Sequence, residues 1–130
     1  MMNDIKMKKI FCLLLLPLLL AGCTSITNLT PSQYPRDPSG LYRVEAAWKS
    51  DREAIRPGSF QPVVVIGFNT IPMRPVPVVQ DRWEAFIPVA ADRDFVLYRY
   101  KFDFEVNAIS KPHADSLMSP EYTLKIGDKK

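Results

Sequence analysis

The sequence predicts an all-β fold in which two antiparallel sheets pack as a sandwich. Three observations predict it. The stretches Leu41–Lys49, Trp83–Val89 and Phe95–Val106 alternate apolar and polar residues with period two, the mark of a strand with one buried face. Turn-forming Pro, Gly, Asp and Asn residues separate these stretches at sandwich-like intervals. No stretch after residue 23 reads as a helix.

The chain begins with a segment of another kind. Ile10 to Ala21 is apolar and only twelve residues long, with Pro17 inside it. A bilayer-spanning helix needs about 20 apolar residues. Lys6, Lys8 and Lys9 precede the run, and the small residues Ala21 and Gly22 follow it. A basic start, a short apolar middle and a small-residue end describe a secretory signal peptide. Its start is left open among Met1, Met2 and Met7.

Leu20-Ala21-Gly22-Cys23 resembles the lipobox of bacterial lipoprotein precursors. The resemblance covers the first 23 residues. It implies cleavage between Gly22 and Cys23, a diacylglycerol on the Cys23 sulfur and an acyl chain on its amino group. Two or more chains anchor a protein stably, whereas one binds only marginally. The expected partner is therefore a membrane, and the expected location is the cell envelope. Thr24 rather than Asp follows the cysteine, which under the best-known sorting rule points to the outer membrane, facing the periplasm or the cell surface.

Three regions follow: a signal peptide at 1–22, a lipidated N-terminus with a flexible linker at 23–40, and a β-sandwich at 41–130. Thr24 to Gly40, with three prolines and little periodicity, reads as the linker. As a flexible coil it would average about 20–25 Å end to end, holding the domain off the membrane.

Leu41–Lys49 places Tyr42, Val44, Ala46 and Trp48 on one face. Ser50 to Gly58 is a polar turn region closed by Pro57-Gly58. Val63–Phe68 is short, apolar and β-branched, the composition of a central strand buried on both faces. Ile71–Val79 contains three prolines, which suit an edge strand or an extended loop because proline cannot donate to a sheet ladder. Phe95–Val106 carries the longest alternation, with Val96, Tyr98, Tyr100, Phe102, Phe104 and Val106 on one face. Asn107–Pro120 reads as a polar loop, and Tyr122–Ile126 as a last strand. At this size the immunoglobulin-like sandwich is the expected architecture.

Composition narrows the chemistry. The whole chain carries a formal charge of +3. Loss of 1–22 removes three lysines and Asp4, leaving about +1. The mature part has no block of Lys and Arg, so a nucleic-acid partner is not expected. Cys12 leaves with the signal and Cys23 carries lipid, so the mature domain has neither a disulfide nor a cysteine metal ligand.

His113 is the one histidine, without the partners that a triad or a zinc site needs. Asp103 and Glu105 share a strand face with Arg99 and Lys101, a pattern that suits charge pairing better than catalysis. Neither a catalytic residue nor a metal site is expected, and no cofactor beyond the lipid on Cys23. Trp48 and Trp83 are the candidate ligand-stacking aromatics, although strand alternation favours a core role for both.

Trp83-Glu84, Ile87-Pro88 and Tyr100-Lys101-Phe102 resemble the pattern of starch- and glycogen-binding immunoglobulin-like modules. In that family these positions are mostly structural. The sugar-stacking tryptophan that follows Tyr-Lys-Phe there has no counterpart, since 107–120 lacks aromatics. The expected function is a non-enzymatic envelope lipoprotein presenting a sandwich to an envelope protein or as a structural element. The alternative is a carbohydrate-binding module with a glycan partner.

Overall fold

A computed structural model describes residues 24–50 and 54–128. The segment expected to be a signal peptide, 1–22, and Cys23 lie outside the described residues. Ten strands and no helix occur among those described.

One sheet contains β1 (Ser25–Asn28), β3 (Leu41–Lys49), β7 (Arg82–Pro88) and β6 (Arg74–Pro75), in the order β1-β3-β7-β6. The second contains β2 (Gln33–Tyr34), β10 (Tyr122–Ile126), β8 (Phe95–Val106), β4 (Gln61–Ile66) and β5 (Asn69–Pro72), in the order β2-β10-β8-β4-β5. β9 (His113–Met118) pairs with the second half of β8. Nearly all pairs are antiparallel; β2 runs parallel to β10. This is an immunoglobulin-like strand order, with the first strand split so that one piece joins each sheet.

The alternating stretches became strands because each buries one face against the other sheet. Tyr42, Val44, Ala46 and Trp48 of β3 meet Tyr98, Tyr100, Phe102 and Phe104 of β8, all buried. Ile87, Val64 and Leu124 complete the interior with no exposed surface. Burying such an aliphatic side chain contributes about 1.5–3 kcal/mol. Where a disulfide would tie the sheets of an antibody domain, aromatic rings pack instead. The Trp48 ring centroid lies 5.2 Å from Phe102 and 4.9 Å from Phe60.

The edges follow the prolines. β5 and β6 are the edge strands of opposite sheets, and the chain crosses between them at the buried Met73. Gly67 takes φ +59° as the first residue of the two-residue β4–β5 turn, where a II′ hairpin asks for glycine.

Three stretches depart from the sequence reading. The 24–40 segment, read as a linker, contains β1 and β2 and belongs to the sandwich. Its side chains explain why. Asn28 Nδ2 donates to the Tyr98 hydroxyl at 3.0 Å, and the Tyr34 hydroxyl donates to the Arg43 carbonyl at 2.7 Å. Asn107–Pro120, read as a loop, contains β9. Ser119 closes the break between β9 and β10: its amide donates to the Tyr100 carbonyl, and its hydroxyl accepts from the Tyr100 amide. The third is β4, whose span is 61–66 and which is buried on one face through Pro62 and Val64, while Phe68 stands fully exposed in the following turn.

Candidate functional site

Two polar constellations stand out, one on each sheet. On the outer face of the first sheet, Glu45 and Glu84 lie directly opposite each other across β3 and β7. Like charges so placed repel, and three arginines offset them. Arg43 Nε donates to Glu84 Oε2, and Arg74 Nε donates to Glu84 Oε1 at 3.2 Å. Arg43 Nη1 reaches Glu45 Oε2 at 3.3 Å, and Arg82 Nη1 lies 3.9 Å from Glu45 Oε1. The Arg74 guanidinium also lies over the Phe86 ring at 5.7 Å. Beneath these side chains Glu84 is only 7% exposed.

The hydrogen bond from Arg43 holds the Glu84 carboxyl below the usual carboxylate range, with burial acting in the opposite direction. The folded value thus lies below the unfolded one, near 4.3. The charged form contributes stability above that unfolded value, and the contribution is lost as pH falls through the folded value. We expect Glu84→Gln to flatten the acid limb of stability. Urea midpoints measured between pH 7 and pH 3 check this, and an acid limb as steep as the parent's would refute it.

On the second sheet an open groove of about 750 Å³ runs along the ends of β4, β8 and β9. Gln61, Asp103, Glu105 and Ser116 line it, with Arg56 and Ser59 from the β3–β4 connection. Gln61 and Asp103 are register partners, as are Asp103 and Ser116. The carboxylates have cationic neighbours. Arg56 Nη1 lies 3.0 Å from Glu105 Oε2, and Lys101 Nζ lies 3.6 Å from Asp103 Oδ2. Arg99 pairs with Glu121 rather than with either of them.

The Ser59 hydroxyl is committed as well. It donates to the Arg56 carbonyl at 2.6 Å and accepts from the Glu105 amide at 3.0 Å. The groove can therefore exchange hydrogen bonds with a hydroxyl- or amide-rich ligand, while its Ser59 hydroxyl is held by backbone groups rather than by a base.

The other candidates are dispersed. His113 opens β9, exposed, opposite Val106. Trp48 is 8% exposed inside the aromatic core and offers no face to a sugar. Trp83 is half-buried, its ring 5.2 Å from Phe60. The positions shared with the starch-binding pattern serve packing: Ile87 is core, Glu84 holds arginines, and the Tyr100 hydroxyl bonds Asn28 and lies 3.0 Å from Thr30 Oγ1. Cys23 lies outside the described residues, one position before Thr24, whose hydroxyl lies 3.3 Å from that of Ser50.

Sequence reasoning passed over Arg56 and the isolated apolar loop residues Val78 and Ile109. For Ile109 the available signal was a lone large hydrophobe inside a polar stretch; Val78 was hidden in the apolar run Ile71–Val79.

Among the described residues, no group of three or more His, Cys, Asp or Glu is placed to hold a metal ion. No helix among them is long and apolar enough to cross a membrane. No protein-family model, curated protein or solved structure matches the chain.

Proposed function

We propose that the chain is an envelope lipoprotein, anchored through lipid on Cys23, whose sandwich acts by binding or as a structural element rather than by catalysis. The observation that carries this is Leu20-Ala21-Gly22-Cys23, closing a short apolar run and standing two residues ahead of β1. Thr24 after the cysteine directs the reading to the outer membrane. The partner is an envelope protein, met by the faces of the two sheets.

The test is Cys23→Ser in the producing cell. The precursor should remain full length and incorporate no labelled fatty acid, with an all-or-none loss on a gel. Normal processing of that variant would sink the proposal.

The polar groove favours a second reading, a carbohydrate-binding module. Gln61, Asp103 and Ser116 present the hydrogen-bonding groups that a glycan would use. Affinity electrophoresis of the full chain on glycan gels discriminates. Retardation that Gln61→Ala and Asp103→Ala abolish supports this reading; no retardation on any glycan removes it.

A further inference from the structure

We infer that one end of the sandwich lies on the bilayer, with the loop tips at Val78–Val79 and Ile109 inserted among the lipid headgroups. This rests on the proposed lipid anchor and specifies how the domain sits on it.

The first support is the lack of a tether. β1 starts at Ser25, and its register partner is Lys49 at the end of β3. Two peptide units separate Cys23 from Ser25, a span of at most about 7 Å. Acyl chains on Cys23 therefore bring the start of β1 to the membrane surface. The 17 residues from Thr24 to Gly40 do not act as a spacer, because β1 and β2 are paired into the two sheets.

The second support is what else occupies that end. β1, β4, β7 and β9 begin there, and β3 and β8 end there, as their registers require. The two sheets are aligned at this end: the Trp48 ring lies 5.5 Å from Phe104, and Ile55 bridges to Val106. The β6–β7 turn and the β8–β9 connection project from the same end. Their tips carry Val78 at 104% exposure and Ile109 at 110%.

What sets these two tips apart from the equally exposed Phe68 is their place: both lie on the end where acyl chains on Cys23 would enter the bilayer, so both would reach its interface together. Val78 also takes φ +68°, a backbone region that a β-branched residue adopts only at a cost. A glycine or asparagine would relieve that cost, and valine adds apolar surface in its place.

The mature chain has no free thiol once Cys23 is lipidated and Cys12 is removed. Single cysteines can therefore be labelled cleanly. Val78→Cys, Ile109→Cys and Phe68→Cys are each made in the full chain, purified from membranes and labelled with an environment-sensitive fluorophore. Phe68 is 106% exposed at the opposite end, so none of the three substitutions disturbs the core. The proteins are placed in phosphatidylethanolamine–phosphatidylglycerol vesicles containing a headgroup-depth nitroxide lipid.

The expected result is strong quenching at 78 and 109 and none above background at 68. Equal quenching at all three sites, with lipid on Cys23 shown by mass, would overturn the orientation and leave the anchor standing. An unmodified Cys23, with protein absent from the vesicles, would overturn the anchor and the orientation with it.

Discussion

Phe102→Ala should lower the unfolding free energy by about 3–5 kcal/mol. Phe102 has no exposed surface. Its ring lies 5.2 Å from Trp48, 5.3 Å edge-on from Phe60 and 6.5 Å from Tyr100. Each such ring pair adds about 0.5–1.5 kcal/mol beyond area burial. The site cannot collapse to fill the void, because these neighbours belong to strands held in ladders. Phe102 itself pairs with Pro62 of β4 on one side and Leu117 of β9 on the other.

Domains of this size are stable by about 5–15 kcal/mol, and this one is expected to have no disulfide in reserve. The loss corresponds to a fall in Tm of roughly 15–30 °C. Phe68→Ala, in the exposed turn, should stay within about 0.5 kcal/mol of the parent. Urea unfolding of both variants checks the pair. A Phe102→Ala loss no larger than that of Phe68→Ala would show that the aromatic cluster is not the centre of the core.

Tyr100→Phe should cost about 1–3 kcal/mol and loosen the first strand. The Tyr100 hydroxyl donates to Asn28 Oδ1 at 2.7 Å and lies 3.1 Å from the Glu45 carbonyl oxygen. The ring has no exposed surface, so phenylalanine keeps the packing and removes only the polar connection. Amide exchange at residues 25–30 should then accelerate more than exchange elsewhere.

The same substitution has a pH signature. Burial, the largest cause, pushes the Tyr100 phenol well above its ordinary value of 10.0. A folded value above the unfolded one means that the neutral phenol stabilises the fold. That stability is fully present below about pH 10 and is lost as pH rises from there toward the folded value. Tyr100→Phe should thus flatten the alkaline limb. Tyr34, also raised by burial, leaves a residual slope. An unchanged limb in the variant would mean that Tyr100 ionises no less readily in the folded chain than in the unfolded one.

The proposed lipid anchor and the fold have one joint consequence. A 17-residue spacer would have let the domain point in any direction. With Ser25 already paired to Lys49, the lipid we propose on Cys23 would tether one defined end of the sandwich. In that arrangement the outer faces of both sheets, and the opposite end with Phe68, would remain free for a partner.

β3, β7, β8 and β10 were legible in the residues because alternation is a local property. Each apolar side chain two positions from the last falls on the same face, whatever the rest of the chain does. The resemblance to a lipobox at Leu20-Ala21-Gly22-Cys23 is local in the same way, being four adjacent residues. The two tryptophans were only half legible. Alternation placed Trp48 on an inner face, but its depth depends on Phe60, Phe102 and Phe104 arriving from other strands.

Distant partners settled what was not legible. Asn28 and Thr30 look like loop residues until Tyr98 and Tyr100, some 70 positions away, bring hydroxyls to them. β9 is polar and carries few apolar residues, and it is a strand because β8 is long enough to pair with both β9 and β10. Glu84 became a buried charge because the register of β3 with β7 sets it opposite Glu45, where arginines from β3 and β6 converge. Side-chain alternation follows from the chain's own pleat, whereas a hydrogen-bond partner or a counterion exists only once separate strands lie side by side.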